Sequence, residues 1–90
     1  MVVSVLYFDV KDASGFEAAF QAGEALLRSA KGYAGHSVHR GVEEPSRYLV
    51  LGKWTAVEDH ANFLKANGSK ILGAVGPYID SGPDIKHFQS

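Results

Sequence analysis

The chain opens on Val2–Val10, a run in which β-branched and aromatic side chains dominate and both alternating faces are apolar. Leu6, Phe8 and Val10 fall on one face, and Val3, Val5 and Tyr7 on the other. Such a run reads as a strand covered on both sides. The spacing then becomes helical. Phe16, Ala19, Phe20, Gly23, Leu27 and Ala30 form one stripe, with Glu17, Gln21, Glu24 and Arg28 opposite. Ser14 and Glu17 have the spacing of a capping box that would start this helix, and Gly32 is the expected stop. Tyr33–Arg40 reads as a second, more polar strand, and Val42–Ser46 as a turn. Arg47–Trp54 is again apolar on both faces and reads as the third strand. Thr55 and Glu58 suggest a second capping box. The helix after them is expected to reach Ala66 or Asn67 and to end at Gly68, with a further short helical turn in residues 69–75 before Gly76-Pro77. Asp84–Phe88 closes the pattern as a short strand.

The order β-α-β-β-α-β, wound with right-handed crossovers, gives an α+β fold of the ferredoxin-like kind. Its sheet has four antiparallel strands with both helices on one face. The doubly apolar first and third strands belong at the centre. Residues 1–90 are expected to form a single domain. Two helices can cover only one side of such a sheet. The other side presents Val3, Val5, Tyr7, Leu49 and Leu51, a patch too apolar to face water. The economical cover is a second copy of the same sheet about a two-fold axis, so the protein is expected to be a homodimer through this face.

Composition narrows the chemistry. Hydrophobic residues make up 46% of the chain, too many for a disordered protein. The formal net charge of -1 leaves no basic footprint for nucleic acid or an anionic membrane. There is no cysteine, which excludes disulfides, thiolate catalysis and zinc ribbons. The apolar start lacks a basic leader, and Asp9 interrupts it, so it does not read as a signal peptide. The expected location is the cytoplasm.

Candidate chemistry lies on the face toward the helices. Trp54 ends the third strand on the face shared with Tyr48, Val50 and Gly52, where it would either stack on an aromatic guest or plug the sheet end. On the second helix, His60 sits at the margin of the Val57, Ala61 and Leu64 stripe, beside Phe63. An imidazole there would point at the sheet and could accept a phenolic proton near neutral pH. His36 shares a strand face with Val38 and Arg40 and is the second candidate base if that face meets the helices; His39 points the other way. Tyr48 and Tyr78 could donate hydrogen bonds to a substrate oxygen, and Tyr78 follows Gly76-Pro77 at what would be the pocket mouth. The histidine spacing offers no convincing metal set, His87 reads as an ordinary edge-strand residue, and no glycine-rich phosphate loop occurs.

Gly35–Arg40, Glu44-Pro45-Ser46-Arg47-Tyr48-Leu49, Lys53-Trp54-Thr55 with Glu58-Asp59-His60, and the later Gly76-Pro77-Tyr78-Ile79 and Gly82-Pro83-Asp84 together resemble the antibiotic biosynthesis monooxygenase (ABM) family. The resemblance covers nearly the whole chain. It implies a dimeric α+β barrel with a pocket between helices and sheet in each subunit. It also implies a cofactor-independent monooxygenase, which oxidises a small phenol- or quinol-type aromatic with O2 and needs neither metal nor flavin. Trp54 matches the family's third-strand tryptophan. Leu6 and Val75 stand where haem-degrading relatives carry asparagine and histidine, which turns the expectation away from haem. Gly52 stands two before the tryptophan, where many members carry an acid. His60 and His36 are then the expected catalytic residues, and Trp54, Phe63, Tyr78 and Tyr48 the expected substrate contacts. A non-catalytic small-molecule-binding or stress-related dimer on the same scaffold remains the alternative. RNA binding, which this strand order also hosts, is disfavoured because Tyr48–Trp54 lacks the basic-aromatic pattern.

Overall fold

A computed structural model describes residues 1–90. Its elements are β1 (Val2–Val10), α1 (Ala13–Arg28), β2 (Tyr33–Arg40), β3 (Arg47–Trp54), α2 (Val57–Val75), a short 3-10 turn (Gly76–Tyr78) and β4 (Ile79–Gln89). The sheet runs in the order β2-β3-β1-β4, with each neighbouring pair antiparallel. The expected ferredoxin-like α+β architecture is therefore the observed one, with the two apolar strands at the centre.

The core is aromatic and lies between α1 and one end of the central strands β1 and β3. Phe16 is fully buried, its ring centroid 5.2 Å from Phe8 and 4.9 Å from Tyr48. Val10, Val50 and Val75 close the cluster. Burying side chains of this size contributes about 1.5–3 kcal/mol each, so this knot supplies much of the drive to fold.

Five local expectations need correction. The cap of α1 is Asp12, whose carboxylate accepts the Gly15 N–H at 3.1 Å. Ser14 already lies inside the first turn, and Glu17 instead accepts a hydrogen bond from the Tyr48 hydroxyl. The helix also ends at Arg28, capped by Ser29, so Ala30 and Gly32 belong to the turn that follows. The start of α2, by contrast, has no side-chain cap: Thr55 donates to Asp59 at 2.7 Å. Glu58 and Asp59 support that end through the helix dipole.

Gly68 does not end α2, which continues unbroken to Val75. A mid-helix glycine costs about 1 kcal/mol relative to alanine. Tertiary packing outweighs that here, because the extra turns carry Val75 into the core at 1% exposure. Finally, β4 begins at Ile79, well before the expected Asp84. Ser81-Gly82-Pro83 reads locally as a turn but forms a bulged stretch of strand beside Tyr7 and Asp9. Gly82 has φ +114, and a Cβ there would lie 2.7 Å from the Tyr7 carbonyl oxygen, so the strand can stay paired only with glycine at this point.

The cap correction can be checked by thermal unfolding. Asp12→Ala should cost about 1 kcal/mol, lowering Tm by about 4–8 °C. Ser14→Ala should stay within about 0.5 kcal/mol of the parent.

Candidate functional site

Strand register builds the floor of the site. His36 on β2 pairs with Gly52 on β3, Gly52 with Ser4 on β1, and Ser4 with His87 on β4. These residues form one row across the sheet on the side facing the helices. Gly52 leaves a gap in the row. A Cβ there would lie 2.6 Å from Ser4 Oγ and 3.0 Å from Trp54 Nε1. The indole edge of Trp54 therefore settles onto the floor where a side chain would otherwise stand. Trp54 is 1% exposed, and His60 stacks on it with centroids 4.9 Å apart at 27°. Phe63 completes the cluster at 5.7 Å. The indole N–H is buried without a hydrogen-bond partner, the one such side-chain atom in the chain. An unpaired buried donor costs about 1–3 kcal/mol, so the aromatic packing here must outweigh it.

Between this floor and the helices lies a cavity of about 220 Å³. Phe20 and Leu27 of α1, Leu64 and Ile71 of α2, and Leu6 and Val50 of the sheet give it apolar walls. Gly23 and Gly68 also line it, and their missing side chains widen the space between the helices. An apolar cavity of about 150 Å³ stays dry and admits benzene, so this one has room for a small aromatic guest.

Two imidazoles meet the cavity in different company. His60 is 3% exposed, and its Nδ1 shares a hydrogen with His87 Nε2 at 2.8 Å. Burial, and then the neighbouring His87, push the His60 pKa down to about 4. His60 is thus a neutral ring across the physiological range. His36 has both nitrogens engaged: Nδ1 lies 2.6 Å from the Tyr33 hydroxyl and Nε2 2.6 Å from Glu24 Oε2. Three or more His, Cys, Asp or Glu side chains placed to hold a metal ion do not occur.

The sequence profile of the family described as antibiotic biosynthesis monooxygenase matches residues 1–74. The chain belongs to the ABM family. A structure from Bordetella bronchiseptica, described as a candidate antibiotic biosynthesis monooxygenase, superposes with a TM-score of 0.90 at 26% identity, over 99% of this chain and 95% of the other. SnoaB, a cofactor-independent oxygenase from Streptomyces nogalater, superposes with a TM-score of 0.85 at 21% identity, over 99% and 91%. The uncharacterised protein YczJ of Bacillus subtilis is 29% identical over 76 residues, 82% of this chain and 80% of YczJ.

Within this ABM scaffold, Trp54, Phe63, His60 and His36 all line the cavity. Two residues read as substrate contacts do not. Tyr48 is buried in the core against Phe16, donates its hydroxyl to Glu17 and carries the Arg40 guanidinium 5.8 Å above its ring. Burial and the Glu17 carboxylate raise its pKa. Tyr78 packs across Gly15, where any Cβ would collide with its ring, and its carbonyl accepts the Lys11 and Asp12 N–H groups. The strand face places Tyr48 above the core, not the cavity, and the 3-10 turn directs Tyr78 to the start of α1. His39 points away, exposed and bonded to Ser37.

Three partners escaped the sequence reading. Glu24 was assigned to the outer face of α1, Tyr33 to the start of a strand, and His87 to an ordinary edge position. The Ser4–His87 pairing in β1–β4 would have revealed His87, but the bulge at Gly82 hides that register.

The His60 shift has a measurable consequence. Its folded pKa lies below the ordinary 6.5, so the unfolded chain binds the proton first as pH falls. Its contribution to stability is complete above pH 6.5 and is lost as pH drops through about 4. The full loss is on the order of 3 kcal/mol. Urea unfolding followed through that window should show this dependence, and His60→Leu should remove it from the profile.

Proposed function

We propose that the protein is a cofactor-independent monooxygenase, oxidising a small phenol- or quinol-type aromatic with O2 inside the helix–sheet cavity. The apolar cavity walled by Trp54, His60 and Phe63 beside an imidazole–carboxylate pair carries this reading. Membership of the ABM family and the scaffold shared with SnoaB support it. The guest loses its phenolic proton, and the resulting electron-rich anion reacts with O2. One oxygen atom joins the ring carbon. The other leaves as water with two hydrogens of the guest, so the guest supplies the electrons. The protein's work is to bind the guest in a dry cavity, stabilise the anion and take the proton.

Of the two candidate histidines, His36 is the one tied to an acid–base group, through its bond to the Glu24 carboxylate. An imidazole held at a pKa of about 4 gives up a proton too readily to keep one near neutral pH, so His60 serves as wall and aromatic contact. Oxygen uptake with anthrone- and quinol-type substrates tests the reading. His36→Gln should lose about 10²-fold or more in kcat, and His60→Gln less than about tenfold. Uptake no faster than in buffer would reject an oxygenase altogether.

One observation favours a second reading, a binding protein without turnover. His60 already covers a face of the Trp54 ring, and both His36 nitrogens are already bonded. Thermal stabilisation by an aromatic ligand that is recovered unchanged is the result that would select it.

We further propose that the working unit is a homodimer through the rear of the sheet. Val3, Val5, Leu49 and Leu51 lie there with Tyr7 at 43% and Phe88 at 57% exposure, and no helix crosses them. Light scattering should return twice the 9.7 kDa protomer mass, and Leu51→Lys should return the protomer. No helix is long and apolar enough to cross a membrane.

A further inference from the structure

We propose that Glu24 is the polar end of the cavity, a carboxylate clamped by His36 and Tyr33 that receives the hydroxyl group of the bound aromatic guest. The proposal rests on the cavity being the substrate site and names the group that recognises the substrate there.

The argument starts from hydrogen directions. A carboxylate oxygen accepts, so the 2.6 Å contact of Glu24 Oε2 with His36 Nε2 requires the hydrogen on Nε2. In the neutral ring Nδ1 is then a bare acceptor, and the Tyr33 hydroxyl, also at 2.6 Å, must donate to it. The chain of donors runs one way, from Tyr33 through His36 to Glu24. Every proton in it has a fixed place, which pins the imidazole tautomer and the carboxylate together.

The position of the carboxylate is the second part. Glu24 belongs to the polar side of α1, yet its side chain is only 20% exposed, against 60% for Arg28 one turn on. It lines the cavity with His36, whose side chain is 6% exposed. Drawing a carboxylate against apolar walls carries a desolvation cost, and a guest is not needed to offset it, because the imidazole N–H does. Arg28 Nη2 approaches the same oxygen at 3.8 Å. Oε2 is therefore taken by the imidazole N–H, with Arg28 near it at ion-pair range only, and no hydrogen bond within the chain engages Oε1, the oxygen left for a guest.

That geometry selects the guest. Apart from Ser4, His60 and Lys70 the remaining cavity walls are mainly apolar, and a carboxylate accepts hydrogen bonds only, so a guest that meets Glu24 must bring a donor. A phenolic hydroxyl does so from the edge of a flat apolar ring. In turnover its O–H bond breaks, the proton joins Oε1 of Glu24, and the electron pair stays on the phenolic oxygen. Glu24 is then the catalytic base, with His36 and Tyr33 as positioning residues that hold it. His36→Gln loses activity in this scheme because the clamp is lost.

Phenol and anisole, two flat aromatics of which only phenol carries an O–H donor, test the assignment under anaerobic conditions by calorimetry. The parent protein should bind phenol about tenfold more tightly than anisole. Glu24→Gln keeps an oxygen to accept the His36 N–H, so its melting point should stay close to the parent's while the phenol preference disappears. Equal affinities in the parent, an unchanged preference in Glu24→Gln, or no binding of either probe would overturn the proposal. So would nitrogen NMR finding the His36 hydrogen on Nδ1. Oxygen uptake separates the two readings. Phenol preference with no uptake rejects the oxygenase and leaves the Glu24 site standing, whereas uptake without that preference does the reverse.

Discussion

The indole of Trp54 can lie down on the sheet only because position 52 carries no side chain. The space that a Cβ would take at Gly52 is shared by Ser4 Oγ and the indole nitrogen. Everything above follows from that contact. With the indole low, His60 can stack on its upper face and reach His87, which ties the middle of the sheet to α2 and the edge strand β4. With His60 in place, the large aromatic groups gather at one end of the sheet and the Phe8–Phe16–Tyr48 knot at the other. The cavity is the space between these two packed ends. A larger residue at position 52 would lift the indole and disturb the cavity from below.

The parts of the fold legible in the sequence were those set by periodicity. Doubly apolar Val2–Val10 and Arg47–Trp54 announced the central strands, and the alternation of the latter put Trp54 on the helix side correctly. Element ends were less legible, because competing polar partners decide them. Ser14 and Thr55 have the chemistry to cap, but Asp12 captures the first helix, and Thr55 and Glu17 are drawn to Asp59 and Tyr48. The site was half visible for a related reason. A residue's face can be read from its own strand or helix, so the inward placement of Trp54, His60 and Phe63 was legible. The partners Glu24, Tyr33 and His87 come from three other elements, and only tertiary packing brings them in. Tyr48 and Tyr78 mark the converse limit: face alone does not tell which end of a layer is filled and which is hollow.

A sheet covered on one side is a physical problem that this chain solves unevenly. The helix side holds most of the core, while Tyr7 and Phe88 stand exposed on the rear beside half-buried Val3, Leu49 and Leu51. A second sheet laid on the rear would bury apolar area worth about 25 cal/mol per Å². It would also stiffen β1 and β3 from behind, the two strands that carry Ser4, Gly52 and Trp54. Rear cover and front cavity are thus linked through the same two strands, which gives an assembly on this face a direct bearing on the site.

The two cavity histidines show how one residue type acquires two roles. His60 has a second imidazole as its partner and is shut away from water, with no carboxylate bonded to its ring, and burial keeps it neutral. His36 has a hydroxyl on one nitrogen and a carboxylate on the other, so its hydrogens are fixed and its neighbour Glu24 is held beside the cavity. The first arrangement suits an aromatic wall, and the second suits the handling of a proton. Separation of this kind, with apolar packing at one imidazole and a polar relay at the other, lets a cavity stay dry over most of its surface and still remove a proton at one edge. The relay is built from residues of α1 and β2 and the stacked aromatic pair from β3 and α2, so the two histidine environments are set by different elements of the chain.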